Sequence, residues 1–362
     1  MSLTRRERYV LLGDGESPHL LKWARALAPQ VDLWAASSRG FASGFDTIVG
    51  PERRLSLATR PDPAGGNFGL LGELPRLARW LHDVQAEWIH AHYLTSHGVL
   101  AWAAHGMFRA PGRLVGSAWG SDILVAPARS ATLRWITSRV LRACTLTTSD
   151  SCVMAARMRE LGAREVMVFP FGLEALPEES LSKEPWLFFA NRGLEPIYAP
   201  QRVLASFAEI AKWQPDARLV IANDGSLRGS LERQVNSMGL AGRVQFTGRL
   251  DSAAQDQWYA QAQWYLSLPA SDSIAVSVLE AMAHGCIPVL SDLPANHELV
   301  SSGGNGLIVP RDAELQPPLL NGILARSQSI ARENRDWVRR NGLFEPWVRK
   351  FLARLRELSA RQ

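Results

Sequence analysis

Residues 271–292 read SDSIAVSVLEAMAHGCIPVLSD. A helix-length phrase, SIAVSVLEAMAHG, runs directly into the strand-like IPVL. The helix is expected to begin near 273, with Ser271 or Ser273 as its N-cap and Gly285 as its stop. A helix that hands over at once to a short apolar strand is the repeating unit of a parallel sheet covered by helices. Glu280 stands inside the apolar phrase VLEAMA, and a buried carboxylate is costly unless something hydrogen-bonds it. The first turn is small and uncharged, so its backbone N–H groups and positive dipole end are open to an anion such as a diphosphate. Asp272 sits at that mouth. At ~100° per residue, Asp272 and Glu280 would lie about 80° apart on the helix and could face one site. Glu280 is then either a ligand for the vicinal hydroxyls of a ribose or the partner of an arginine in the core.

The same alternation extends outward in both directions. Strand-like runs RYVLLG, VDLWAAS, EWIHAH, RLVGSAW, TLTTSD and EVMVFP are mostly separated by amphipathic stretches. GLEALPEESLSKEPW (172–186) is acidic and proline-bearing, as a linker should be. The pattern then restarts with PWLFFANRG, a helix from about 200 to 213, ARLVIANDG, a helix near 227–238, RVQFTGR, QWYLSLP and GLIVP. The expected fold is α/β, with two Rossmann-like domains (1–173 and 186–340), a linker over 174–185, and a terminal helix over 341–362. Ligands of open α/β sheets bind at the carboxyl ends of strands. The polar loops GDGESPH, HYLTSHG, WGSD, NRG and NDG follow strands, so a small-molecule site at the domain interface is expected. Gly13-Asp14-Gly15 is no dinucleotide fingerprint, because Pro18 stands where its third glycine would be.

Composition narrows the class. The chain has 362 residues, 46% hydrophobic and 21% charged, which fits a globular two-domain protein. No transmembrane segment or signal peptide is read, and three cysteines without a C-x-x-C pair point to a reduced, cytoplasmic protein. The formal charge of +5 is carried by the C-terminal tail, since the remaining residues balance. Basic residues interleaved with aromatics over a broad face are missing from this reading, which excludes a nucleic-acid binder. No His, Cys or carboxylate cluster has metal-ligand spacing, so a metal-independent reaction is expected, with no cofactor.

Taken in order, Asp272, seven residues, Glu280 and then AMAHGCIPVLSDLPANHELV resemble the signature of the retaining nucleotide-sugar glycosyltransferases of family 4, which have the GT-B fold. ANRGLEPIY, ANDGSLRGSLERQVNSMGLAGRVQFTGRL, WIHAHYLTSHG, SAWGSD and VFPFGLE match further family segments in the same order, from about 88 to 310. The resemblance implies two domains facing each other across a cleft, the last helix crossing back to the first, and a UDP- or GDP-sugar as donor. It implies that Glu280 holds the donor ribose, Arg192 the diphosphate, and Asp272 and His92 the transferred sugar. It further implies donor contacts at Gly13, Gly15, Ser273, Ile274, Ala275, Asn223, Gly248 and Arg249, and an acceptor side with Trp119 and Asp122. The implied acceptor is a sugar, a glycan or a lipid-linked molecule, in polysaccharide, glycolipid or glycoconjugate synthesis of bacterial type.

Three departures qualify the match. The phosphate-binding lysine five or six residues after the arginine is replaced by Ile197 and Tyr198. Trp119 stands where many relatives have histidine, and Asp272 reaches about one methylene less than glutamate. A nucleotide-sugar epimerase of the same fold and a non-catalytic nucleotide-sugar-binding protein are the alternatives. A phosphorylase would need a lysine for pyridoxal phosphate, for which no context is found. The terminal helix, apolar along Trp347, Val348, Phe351, Leu352, Leu355 and Leu358, is expected to pack on the first domain. The alternative is that Arg349, Lys350, Arg354 and Arg356 face anionic lipid, which would make the protein peripheral at the inner face of a membrane.

Overall fold

A computed structural model describes residues 6–59, 68–179, 183–311, 315 and 317–360. Part of the linker reading, Ser180 to Ser182, lies outside the described residues. The chain forms two compact units, one of residues 1–169 with 344–362 and the other of 170–343.

Unit 1 is a seven-stranded parallel sheet: β1 (Arg8–Gly15), β2 (Asp32–Phe41), β3 (Arg54–Ser56), β4 (Trp88–His92), β5 (Arg113–Ser117), β6 (Cys144–Ser149) and β7 (Val166–Val168). The spatial order is β3-β2-β1-β4-β5-β6-β7. The short β3, with only Leu55 buried, was too brief to stand out as a sequence run. The order reverses between β1 and β4, which is where ligands enter such sheets. The helix Pro18–Leu27 starts with Pro18 in its first turn and Ser17 capping the His19 N–H, so the proline that excludes a dinucleotide fingerprint is a good helix start. Its Leu20, Trp23, Ala24 and Leu27 are buried.

The terminal helix Phe344–Ala360 belongs to unit 1 and buries Phe344, Val348, Phe351, Leu352 and Leu355. Trp23 meets Phe344 and Phe351 edge-on, and Trp347 stacks on Phe169 at 5.8 Å. All four of its candidate lipid-facing cations have protein partners. Arg349 pairs with Glu345, Arg354 with Glu165 and Glu357, Arg356 with Glu7, and Lys350 lies over the Trp347 ring.

Unit 2 is a six-stranded parallel sheet of β8 (Glu184–Ala190), β9 (Arg218–Ala222), β10 (Val244–Gly248), β11 (Ala262–Ser267), β12 (Ile287–Ser291) and β13 (Leu307–Val309), in the order β10-β9-β8-β11-β12-β13. Its order reverses between β8 and β11. The helix expected from 200 to 213 forms over Pro200–Trp213, with Val203, Leu204, Phe207 and Ile210 on its buried face. The stretch read as a linker is tied to unit 2: Leu173 N–H donates to the Gly342 carbonyl and Arg335 donates to the Pro177 carbonyl.

The helix of the opening stretch begins at Val276, not near 273. Ala275 is extended (φ −75°, ψ 132°) and caps the helix without a side-chain hydrogen bond, so neither Ser271 nor Ser273 is the N-cap. The 80° relation between Asp272 and Glu280 therefore fails: Asp272 belongs to the preceding loop, where it accepts from the Ser273 N–H at 3.0 Å. The end of the helix is as read. Gly285 takes φ +79°, its N–H reaches the Met282 carbonyl, and the Cys286 N–H reaches that of Ala281, the paired bonds of a glycine stop.

Candidate functional site

In unit 2 the strand-order reversal sets the loop after β8 beside the loop after β11. The first carries Arg192 and the second Asp272. Arg192 Nη2 donates to Asp272 Oδ2 at 2.5 Å, and Nη1 reaches Ser277 Oγ at 3.4 Å on the helix Val276–Ala283. The two side chains are 20% and 19% exposed. Tyr198 lies under the guanidinium, 4.4 Å from its carbon to the ring centroid. Burial draws the guanidinium down, but Asp272 carries it above its usual pKa. Burial raises Asp272 while Arg192 opposes the rise. Arg192 Nε is buried with no hydrogen-bond partner among the described residues, so the guanidinium keeps an unused donor.

Glu280 is half-buried, and its Oε2 accepts from the Tyr259 hydroxyl at 3.0 Å. A tyrosine hydroxyl thus holds this carboxylate from within the fold. Tyr259 also receives Asn191 Nδ2 at 3.2 Å and lies 3.2 Å from the Ser277 carbonyl. Burial, then Tyr265 and Glu280, push its phenol well above the usual value, so it stays a neutral donor. Asn191 in turn accepts from Asn223 Nδ2 at 2.6 Å. Asn223 has left-handed backbone (φ +72°) and donates its N–H to the carbonyl of Gly248, itself at φ +71°. Asn223, Asn191, Tyr259 and Glu280 form one hydrogen-bonded chain. Ser273, Ile274 and Ala275 are buried in the loop beside it, while Arg249 is exposed.

Asn191, Ser277 and Tyr259 are the residues that the sequence reading missed. Asn191 could have been found from its place before Arg192. Tyr259 could not, since it lies 21 positions from Glu280 and nothing in SAAQDQWYAQ marks it.

In unit 1 the reversal brings the Gly13–Gly15 end of β1 next to β4 and His92. His90, two residues earlier, is fully satisfied: Tyr9 OH lies 2.9 Å from Nδ1 and Ser117 Oγ 2.7 Å from Nε2. His92 is 4% exposed and neither ring nitrogen has a hydrogen-bond partner among the described residues. Burial, with His90, His97 and His19 nearby, drives its pKa well down, so the ring is neutral. His97 braces the strand end: its Nδ1 lies 2.8 Å from the His92 carbonyl and its Nε2 2.9 Å from Ser38 Oγ. Tyr93, directly after His92, has φ +69°, strain that a bulky residue bears only where its surroundings enforce it. Trp119 is partly exposed, 4.7 Å from the His19 ring and 5.9 Å from His92.

Two of the expected site residues are engaged by the chain itself. Asp122 is fully buried: Oδ2 accepts from the Leu94 N–H at 2.8 Å and Oδ1 from the Trp119 N–H at 2.9 Å. It fastens two loops to each other, and burial raises its carboxyl to about 6 against the pull of those N–H groups. Gly15 serves the chain's own packing. A Cβ there would meet the Gly40 carbonyl oxygen at 2.5 Å, and the Gly15 N–H is already bound to Ser37 Oγ at 2.8 Å. Gly13 makes room for Leu20, whose Cδ1 would lie 2.7 Å from an added Cβ. Among the described residues no group of three or more His, Cys, Asp or Glu is placed to hold a metal, and no helix is long and apolar enough to cross a membrane.

Comparison with known proteins adds an independent result. Residues 8–151 match the family model described as Glycosyl transferase 4-like, and residues 184–316 that described as Glycosyl transferases group 1. The GDP-mannose:cellobiosyl-diphosphopolyprenol alpha-mannosyltransferase of Xanthomonas oryzae pv. oryzae is 35% identical over 118 residues, 30% of this chain and 29% of that protein. The phosphatidyl-myo-inositol mannosyltransferase of Mycolicibacterium smegmatis is 29% identical over 158 residues, 43% of this chain and 39% of that protein. The matched part thus spans well under half the length of these relatives. The crystal structure of Anabaena HepE in complex with UDP and glucose is similar in fold, with TM-score 0.75 at 18% identity over 96% of this chain and all of that one.

Proposed function

We propose, for a chain that belongs to the group 1 glycosyltransferases, that it moves a hexose from a UDP- or GDP-sugar to an acceptor hydroxyl with retention of anomeric configuration. The observation that carries this reading is Arg192. It is a half-buried guanidinium at the sheet's reversal point, braced by Asp272 and Tyr198, with its Nε donor unspent. A guanidinium is permanently charged and suits a diphosphate. In the proposed reaction the sugar–phosphate bond breaks, negative charge grows on the leaving diphosphate, and Arg192 with the start of the helix Val276–Ala283 stabilises it. The leaving phosphate oxygen accepts the proton of the acceptor hydroxyl, so no protein nucleophile is needed and no metal is invoked.

Glu280 binds the donor ribose hydroxyls, with Tyr259 holding one of its oxygens in place. Neutral His92 serves a sugar hydroxyl, which would satisfy its unpartnered nitrogens. Asp272 has two tasks: it balances Arg192 before the donor arrives and faces the transferred sugar once the diphosphate takes the guanidinium. The acceptor is a sugar, a glycan or a lipid-linked molecule. The named relatives act on a diphosphopolyprenol-linked sugar and on phosphatidyl-myo-inositol, which favours the lipid-linked class.

The test is to incubate the chain with UDP- and GDP-hexoses and a panel of lipid-linked acceptors. Acceptor-dependent release of nucleoside diphosphate is expected. An epimerised sugar, or tight binding without turnover, would overturn the reading in favour of an epimerase or a binding protein.

A further inference from the structure

Among the described residues, unit 1 carries a surface at odds with the rest of the chain. From Asp122 to Asp150, both buried, the sequence contains no acidic residue and four arginines, Arg129, Arg134, Arg139 and Arg142. The last three lie on the helix Ala131–Ala143, are exposed, and form no ion pair with any carboxylate among the described residues. On the same helix Trp135 is 54% exposed, with the Arg139 guanidinium over its ring at 5.3 Å. Trp135, Arg139 and Arg142 are spaced four and three apart, so they share one face.

The neighbouring helix Val99–Phe108 extends this surface. Trp102 meets Trp135 edge-on at 6.4 Å, and a Cβ on Gly98 would touch Val140 at 3.0 Å, so the two helices run antiparallel. The end of Val99–Phe108 therefore falls toward the start of Ala131–Ala143, and there Met107 is 74% exposed and Phe108 also reaches solvent.

We propose that this face of unit 1, centred on Trp135, Arg134, Arg139 and Arg142, docks on an anionic lipid bilayer. The guanidinium groups match the sign of the lipid headgroups. An exposed tryptophan with its ring capped by arginine is a side chain suited to the headgroup boundary, and exposed Met107 and Phe108 gain by leaving water there. A nucleic acid would use the arginines but not the aliphatic and aromatic rim. The docking face is thus a different one from the terminal helix, whose apolar side is spent on unit 1 and whose cations are already paired. The role of the face rests on the lipid-linked acceptor reading, but its test reads lipid binding and not transfer.

The experiment is co-flotation of the full chain with vesicles of equal parts phosphatidylglycerol and phosphatidylcholine, and with pure phosphatidylcholine. Binding to the anionic vesicles alone is expected, weakening as salt rises. At about a fivefold effect per arginine near the surface, replacing Arg134, Arg139 and Arg142 by Gln should lower binding about a hundredfold, and Trp135→Ala about tenfold. Arg349→Gln with Lys350→Gln should leave it unchanged. The melting temperature and turnover of a water-soluble acceptor are expected to be unaltered in all variants. Equal binding to neutral vesicles, loss of binding through the terminal-helix variants alone, or competition by duplex DNA at equal charge would overturn the proposal.

Discussion

The strand ends of the two units handle polar groups in opposite ways. In unit 1 most of them are closed on the fold itself: Asp122 on two backbone N–H groups, Gly15 on Ser37, His90 on Tyr9 and Ser117. In unit 2 the charges stay near the surface at the strand ends, with Arg192, Asp272 and Glu280 only partly covered. His92 differs from these, buried with both nitrogens unpartnered among the described residues. The difference teaches that a polar residue after a strand is not yet a ligand contact. What distinguishes the two cases is whether the chain has already used its hydrogen-bonding capacity.

Substitutions that separate binding from folding put this contrast at risk. Arg192→Ala is expected to have the largest effect, lowering turnover a hundredfold or more while thermal unfolding stays cooperative; steady-state kinetics beside calorimetric scans check it. Near-normal turnover would place Arg192 with the structural group. Next, Glu280→Ala should weaken binding of the nucleoside diphosphate by about tenfold to a hundredfold by titration calorimetry, since a carboxylate accepting two hydroxyls gives up charge-assisted hydrogen bonds. Tyr259→Phe should weaken it by about fivefold, and add nothing in the Glu280→Ala background, because its hydroxyl acts through that carboxylate.

Asp122→Asn should act only on stability. Asparagine offers one acceptor where two N–H groups need one each, so a loss of about 1–3 kcal/mol is expected with donor affinity unchanged. The pH dependence carries the sign. The folded carboxyl, raised to about 6 from an ordinary 3.8, holds its proton where the unfolded chain has lost it. Its contribution therefore falls as pH rises from 3.8 to about 6 and is level above, and Asp122→Asn should flatten that slope in denaturant midpoints measured across the window. Gly15→Ala should likewise act only on stability, costing about 1–3 kcal/mol against the rigid Gly40 carbonyl and leaving nucleotide affinity alone. A large loss of affinity in either variant would return that residue to the ligand site.

Much of this molecule could be read from its sequence. Short apolar runs between amphipathic stretches specify parallel sheets, because period and polarity are local properties of the chain; so is the glycine stop at Gly285. The pairing of Asp272 with Arg192 is not local, since the residues lie 80 positions apart and meet only because strand order reverses between β8 and β11. Likewise Asp122 looks like a site residue in SAWGSD until its oxygens are seen to be filled. The single extended residue Ala275 moved the helix start by three positions, since backbone dihedrals at a cap respond to the loop before it. Patterns of residue type set which elements form and which residue types gather at strand ends. Only the tertiary structure decided which of those residues were already satisfied by their neighbours, because hydrogen-bond capacity is exhausted by contacts distant in sequence.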